Sequence, residues 1–167
     1  MITYLIGSLL IIMLSIIVIK KMAKERRHKR EHSDIVKAYD RLTKEFKLAV
    51  EYSESINGRY IALDRRNKKL LIIDHCGDQK EELCVPLSEI GDSKIIRETD
   101  GPQLIKKILF EFRNKRNNQP VRFCFYNGNV DLPGELPSLS RKAIYWKTKV
   151  DIHRRAGSVG LDAEYVL

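Results

Sequence analysis

The most extended apolar run of the chain lies at its N-terminus. Residues 2–19 contain no charged side chain, and Leu, Ile, Val and Met fill most positions. At about 1.5 Å of rise per residue, the run predicts roughly 28 Å of helix, enough to cross a hydrocarbon core of about 30 Å. Nothing basic precedes it and no small-residue cleavage site follows it, so residues 1–19 are predicted as a retained transmembrane helix.

A second helix is predicted after a short polar segment, over residues 33–54 of a linker that extends to residue 56. Its apolar positions repeat at alternating spacings of four and three, which is a heptad pattern. Such a stripe either forms a homodimer through residues 35–49 or packs on the domain that follows, and the bulk of Tyr39 and Phe46 favours packing. The stripe consists of Ile35, Tyr39, Leu42, Phe46 and Ala49.

From residue 57 onward, short runs alternate between apolar and polar side chains, which is typical of half-buried strands. The last two runs form the clearest hairpin, because a helical period would place Ile108 beside Phe112 but separate Phe110 from both. Residues 91–92 are predicted to form a break between two strands, since Gly and Asp favour turns. Strands are predicted over 59–64, 69–75, 83–87, 94–98, 108–113 and 121–125.

The last strong element is a predicted helix over 138–156, with Trp146 at the centre of its apolar face and Arg154 and Arg155 in its final turn. The tail 158–167 has little periodicity and is predicted to fray. Strands followed by one amphipathic helix indicate an α+β domain over 57–157. We expect a strongly bent antiparallel sheet whose open end the helix plugs. The apolar face comprises Leu139, Ala143, Trp146, Val150 and His153.

Three segments of the β-rich region resemble bacterial pleckstrin-homology-like (PH-like) domains. They are RYIALDRRNKKLLIID, the strand ending in PLSEI, and the hairpin LFEFRNKRNNQPVRFCFYN, which precedes the helix that carries Trp146. The resemblance covers about residues 59–156 and omits the anchor and the linker. It implies a seven-stranded, barrel-like antiparallel sandwich capped by a C-terminal helix. That fold hosts binding modules more often than enzymes, although fold alone does not give function.

Charge sets the expected orientation of the anchor. Residues 20–30 contain seven basic residues and Glu25, which accounts for +6 of the net +9 of the chain. Short flanks rich in Lys and Arg stay in the cytoplasm. We therefore expect a single-pass protein of the plasma or inner membrane, with its N-terminus outside, a basic juxtamembrane segment at 20–32 and a cytoplasmic domain. The concentration of charge beside the anchor argues against specific nucleic-acid binding.

The sequence contains none of the motifs that carry common enzyme chemistry. The nucleophile elbow, the phosphate-binding loop, the dinucleotide fingerprint and the zinc-protease motif are all missing, so no catalytic residue and no cofactor is predicted. His75 and the three cysteines, Cys76, Cys84 and Cys124, lack the paired spacing of a zinc site, and no metal is predicted. An odd number of cysteines suits a reducing cytoplasm, and their role stays open.

Basic side chains are the remaining candidates for a site. The juxtamembrane cluster sets topology and attracts anionic headgroups, whereas the loop after the first β-run would form a phosphate-binding edge by the PH-like resemblance. The alternative for that loop is an ordinary solvated turn. The candidate contacts for anionic lipid are Lys20, Lys21, Lys24, Arg26, Arg27, Lys29, Arg30, Arg65, Arg66, Lys68 and Lys69.

Three functions are carried forward. The first is a membrane-anchored cytoplasmic adaptor without catalytic activity, which offers its β-domain to a membrane-associated protein. The second is a peripheral sensor of anionic lipid headgroups that uses the basic residues. The third is an enzyme, for which no motif provides support. The alternating phenylalanines are predicted core residues, so they offer no stacking platform for bases.

Overall fold

The computed structural model describes residues 33–74, 80–101 and 104–156. Within these ranges, no helix combines the length and the apolar composition that crossing a bilayer requires. Several of the features predicted above lie outside the described residues. These are the apolar run 2–19, the basic segment 20–32, His75, Cys76 and the tail 158–167.

Two helices flank a β-rich region. Helix α1 is described over residues 33–45, where it ends, and helix α2 covers Leu136–Ala156. Short 3-10 turns precede the fifth strand, at Leu87–Glu89, and α2, at Pro133–Glu135. The seven strands are β1 (Tyr52–Ile56), β2 (Arg59–Asp64), β3 (Lys69–Asp74), β4 (Glu81–Pro86), β5 (Ile90–Asp100), β6 (Leu104–Asn114) and β7 (Pro120–Asn127).

The strands form two antiparallel sheets, in the orders β1-β2-β3-β4 and β5-β6-β7. Each strand pairs with its neighbour in sequence, so both sheets are simple meanders. The predicted α+β class is confirmed. The expected single bent sheet is instead a pair of sheets, and they do not close into a barrel.

The linker helix is shorter than predicted. Lys47 takes a left-handed backbone conformation with φ of 50°, and the Leu48 amide donates to the Thr43 carbonyl at 2.9 Å, which is how helices commonly end. The chain then turns onto the sheet, where the Glu51 amide donates to the Leu63 carbonyl at 3.1 Å. The prediction of helix up to residue 54 is therefore wrong, since residues 52–56 form β1.

The apolar stripe of α1 packs on the outer face of the first sheet. Ile35 and Leu42 are buried there against Leu71 and Ile73. Tyr39 and Phe46 are partly buried in the same cluster. The expectation that the stripe packs on the following domain is thus met by four of its five residues, while Ala49 lies beyond the end of the helix.

Gly91 lies inside β5 rather than at a break between strands. The pairing of β5 with β6 shifts register between Ile90 and Ser93, as at a β-bulge. A Cβ atom at position 91 would lie 3.0 Å from the carbonyl oxygen of Arg113, so this close approach requires glycine. The prediction of a break at 91–92 is wrong because the glycine allows close strand contact instead of a turn.

The core lies between the two sheets and α2. Trp146 is 1% exposed and contacts a cluster to which both sheets contribute. The predicted hairpin is confirmed, and its alternating aromatic residues are buried in this cluster. They are Phe110, Phe112, Phe123 and Phe125.

The strands define two ends of the domain. At one end, which we call the helix-start end, Lys80 lies 3.4 Å from Asp34 in the first described turn of α1. At the opposite end, the Lys69 ammonium donates to the carbonyl of Phe46, just after the last turn of α1, at 3.1 Å. A strand of six residues separates these ends by about 20 Å.

Candidate binding surface

The β2–β3 turn, residues 65–68, is built around Asp64. This buried carboxylate accepts hydrogen bonds from the Asn67 amide at 2.8 Å and from the Ala49 amide at 2.7 Å. Burial alone would raise the pKa of Asp64, but hydrogen bonds from Asn67, Ala49 and the Arg66 backbone outweigh it and lower that pKa. The carboxylate thereby fixes a tight turn in which the side chains of residues 65–68 are exposed.

The four basic residues predicted at this turn do not share one role. Arg65 lies 3.5 Å from Glu51, and Lys69 is held by the Phe46 carbonyl with its ammonium 5.7 Å from the Phe46 ring centroid. Arg66 and Lys68 are exposed, and neither forms an ion pair with a residue that the structure describes. Two of the four predicted contacts are therefore available to a ligand without breaking an existing interaction.

A second basic turn lies beside the first, and sequence reasoning did not select it. The Leu87 amide donates to the Lys68 carbonyl at 2.7 Å, and the Lys115 amide donates to the Glu89 carbonyl at 2.7 Å. These bonds bring the β6–β7 turn, with exposed Lys115 and Arg116, to the same end of the domain as the β2–β3 turn. The two basic turns lie close together because the short 3-10 turn between β4 and β5 is hydrogen-bonded to both of them. No motif in that 3-10 turn predicts these contacts.

The last turn of α2 adds further positive charge at this end. Arg154 donates to the Gly91 carbonyl and lies 3.8 Å from Asp151, which ties the end of the helix to the start of β5. Arg155 is exposed in the same turn, where cations favour the helix dipole. We call the combined surface the basic end; it comprises Arg65, Arg66, Lys68, Lys115, Arg116, Arg154 and Arg155.

A buried ion pair occupies the helix-start end. Arg59 is fully buried, and its guanidinium donates to both carboxylate oxygens of Asp131, at 2.6 and 2.8 Å. Asp131 also accepts a bond from the Asn127 amide at 2.7 Å. Through these hydrogen bonds, the ion pair joins β2 to the loop before α2.

The cysteines that the structure describes occupy different environments. Cys84 is half-buried in the cluster beneath α1, and burial raises the pKa of its thiol. Cys124 is buried near the Arg59 guanidinium, with Sγ 3.4 Å from Nη1. Among the described side chains, no group of three or more His, Cys, Asp or Glu is placed to hold a metal ion.

Comparison of this chain with protein-family models, with curated proteins and with solved structures yields no match. The functional argument therefore rests on the chemistry of the surfaces described above.

Proposed function

We propose that this chain is a single-pass, membrane-anchored cytoplasmic binding module without catalytic activity. In this proposal, the basic end contacts an acidic surface on a membrane-associated protein. The observation that carries it is the convergence of three separate segments on one end of the domain. This convergence concentrates cations, and no carboxylate in the described part of the chain forms an ion pair with Arg66 or Lys68. Such a concentration of charge steers an oppositely charged partner and accelerates its association.

We also propose that the domain is PH-like. The described residues form two antiparallel meanders with seven strands in all, followed by a C-terminal helix that packs on the shared core. This arrangement supports the seven-stranded sandwich with a capping helix that the resemblance implies. The chain segments that carry the resemblance form β2 to β4, β6 and β7. Side chains such as Trp146 and Phe110 fill the interior of the domain. The proposed binding role is therefore assigned to the surface of the domain.

The location of the basic end favours a protein over the membrane as its partner. The predicted anchor precedes α1, whose first described turn lies at the opposite end of the domain, about 20 Å away. The potential of an anionic membrane surface falls off within a Debye length, about 8 Å at physiological ionic strength. A domain whose helix-start end faces the bilayer would therefore hold its basic end beyond most of that attraction. Anionic-lipid sensing is the alternative, supported by the exposure of Arg66 and Lys68.

Vesicle binding separates the two functions. We expect residues 31–167 to bind anionic vesicles weakly at about 50 mM salt and to lose that binding by about 150 mM, because few free cations contribute. Reversal of four exposed charges at the basic end to Glu should abolish the low-salt binding. Vesicle flotation across a salt series measures this. The four residues are Arg66, Lys68, Lys115 and Arg116.

A matched control reverses four other exposed basic residues, which lie away from the basic end. It should lose less of the low-salt binding than the basic-end variant. Strong wild-type binding that persists at physiological salt and that only the basic-end variant abolishes would replace the adaptor function with lipid sensing. The control residues are Lys37, Arg97, Lys106 and Arg141.

A further inference from the structure

Tyr52, the first residue of β1, is surrounded by cations from two other elements. The Lys149 ammonium on α2 lies 3.3 Å from the centroid of the Tyr52 ring and 5.1 Å from that of Tyr145. One turn further along α2, the His153 ring lies 6.4 Å from the Tyr52 ring at an interplanar angle of 25°. The aromatic faces hold the lysine in place through cation–π attraction.

Arg65 completes the cluster from the β2–β3 turn. Interactions with Arg65 first, and then with Lys149, lower the pKa of Tyr52. Glu51 lies 3.5 Å from Arg65 and is the acidic neighbour of the cluster. Two cations, a phenol and an imidazole thus converge beside one partly exposed carboxylate.

The electrostatics of His153 agree with this geometry. Burial first, and then the charges of Arg65 and Lys149, lower the pKa of His153, while Glu51 raises it. Burial and the two neighbouring cations therefore both disfavour protonation of the imidazole. An anion placed among these side chains would offset that excess and favour protonation of the ring.

We propose that Arg65, Lys149, His153 and the Tyr52 hydroxyl bind a phosphate monoester dianion. The planar guanidinium can donate two parallel bonds to phosphate oxygens, and the ammonium supplies a compact point charge. The phenol and the imidazole can each donate a further hydrogen bond. A tetrahedral anion with three terminal oxygens can accept all of these bonds, whereas a planar carboxylate has fewer acceptor oxygens. The site shares Arg65 with the basic end, but it does not rest on the proposed adaptor function, because its other three side chains belong to β1 and α2.

The test uses the full chain in non-ionic detergent micelles. Inorganic phosphate is titrated at constant ionic strength and at a fixed, mildly alkaline pH, and the ring-proton NMR signal of His153 is followed. A His153→Gln variant assigns that signal by its loss. The chain has four histidines, and the other three are His28, His32 and His75.

We expect a saturable shift of the His153 signal that chloride at equal ionic strength does not produce. Lys149→Met and Arg65→Gln should each weaken phosphate binding about tenfold, as loss of one charge-assisted hydrogen bond would. Arg141→Met, which removes an exposed charge two turns away on the same helix, should leave the affinity unchanged. Sulfate, which remains a dianion, should raise the pKa of His153 relative to chloride.

Two further arms identify the source of the phosphate. Glycerol phosphate that shifts His153 as inorganic phosphate does, with no response to phosphatidic acid in bicelles, indicates a soluble monoester. A response to phosphatidic acid alone indicates a lipid headgroup. A non-saturable shift, or equal affinity in wild type, Lys149→Met and Arg65→Gln, overturns the site. Circular dichroism spectra that match the wild type verify that each variant remains folded.

Discussion

We expect Trp146→Ala to lower the free energy of unfolding by about 3–5 kcal/mol, as truncation of a buried tryptophan typically does. Trp146 is 1% exposed and belongs to the core cluster that joins both sheets to α2. A domain of this size has about 5–15 kcal/mol of stability in total. The variant should therefore be unfolded or badly destabilised, which circular dichroism and chemical denaturation of residues 31–167 would measure.

The neighbouring residue provides the matched control. Tyr145 is 50% exposed, so Tyr145→Ala should change the free energy of unfolding much less than Trp146→Ala does. The indole nitrogen of Trp146 is buried without a hydrogen-bond partner, so Trp146→Phe loses volume but no hydrogen bond and should cost less than the alanine variant. Equal midpoints for wild type and Trp146→Ala would show that α2 does not dock through this side chain.

Asp131→Ala should be about as destabilising, by roughly 3–5 kcal/mol, because it removes one partner of a buried ion pair. The side chains of Arg59 and Asp131 are both 0% exposed. Without the carboxylate, the guanidinium loses two short hydrogen bonds and the Asn127 amide loses its acceptor. Urea denaturation at neutral pH measures the change.

A double-mutant cycle distinguishes charge burial from simple loss of packing. Arg59→Met combined with Asp131→Leu removes both charges and retains apolar volume, so it should cost less than Asp131→Ala alone. The free-energy changes of the single variants Arg59→Met and Asp131→Leu are compared with that of the double variant. If they add, the two residues do not interact, and the link between β2 and the loop before α2 is wrong.

Much of the β-domain could be predicted because several of its runs alternate between apolar and polar residues. The run that contains Phe110 and Phe112 has one apolar face, so both its type and its orientation follow from period two. The stripe through Trp146 likewise fixes which face of α2 is buried. Local turn chemistry explains Asp64, whose role depends on a residue three positions later.

Contacts between distant segments could not be predicted in this way. Arg59 appears in the sequence as the polar start of a strand, and its partner Asp131 lies 72 residues later in an irregular loop. The end of α1 also escaped prediction, because the heptad pattern continues to Ala49 while hydrogen bonds to the sheet end the helix earlier. The basic end similarly depends on two turns that meet only through the fold.

The central claim is that the basic end contacts a protein rather than the lipid surface. Site-specific photocross-linking from position 68 in the full chain, in native membranes, tests it most directly, with the exposed position 129 of the opposite end as control. We predict a discrete protein adduct from position 68 that is absent from position 129 and is lost when Arg66, Lys115 and Arg116 are changed to Glu. Adducts from position 68 with lipid alone, or a protein adduct that survives the charge reversal, would contradict the account.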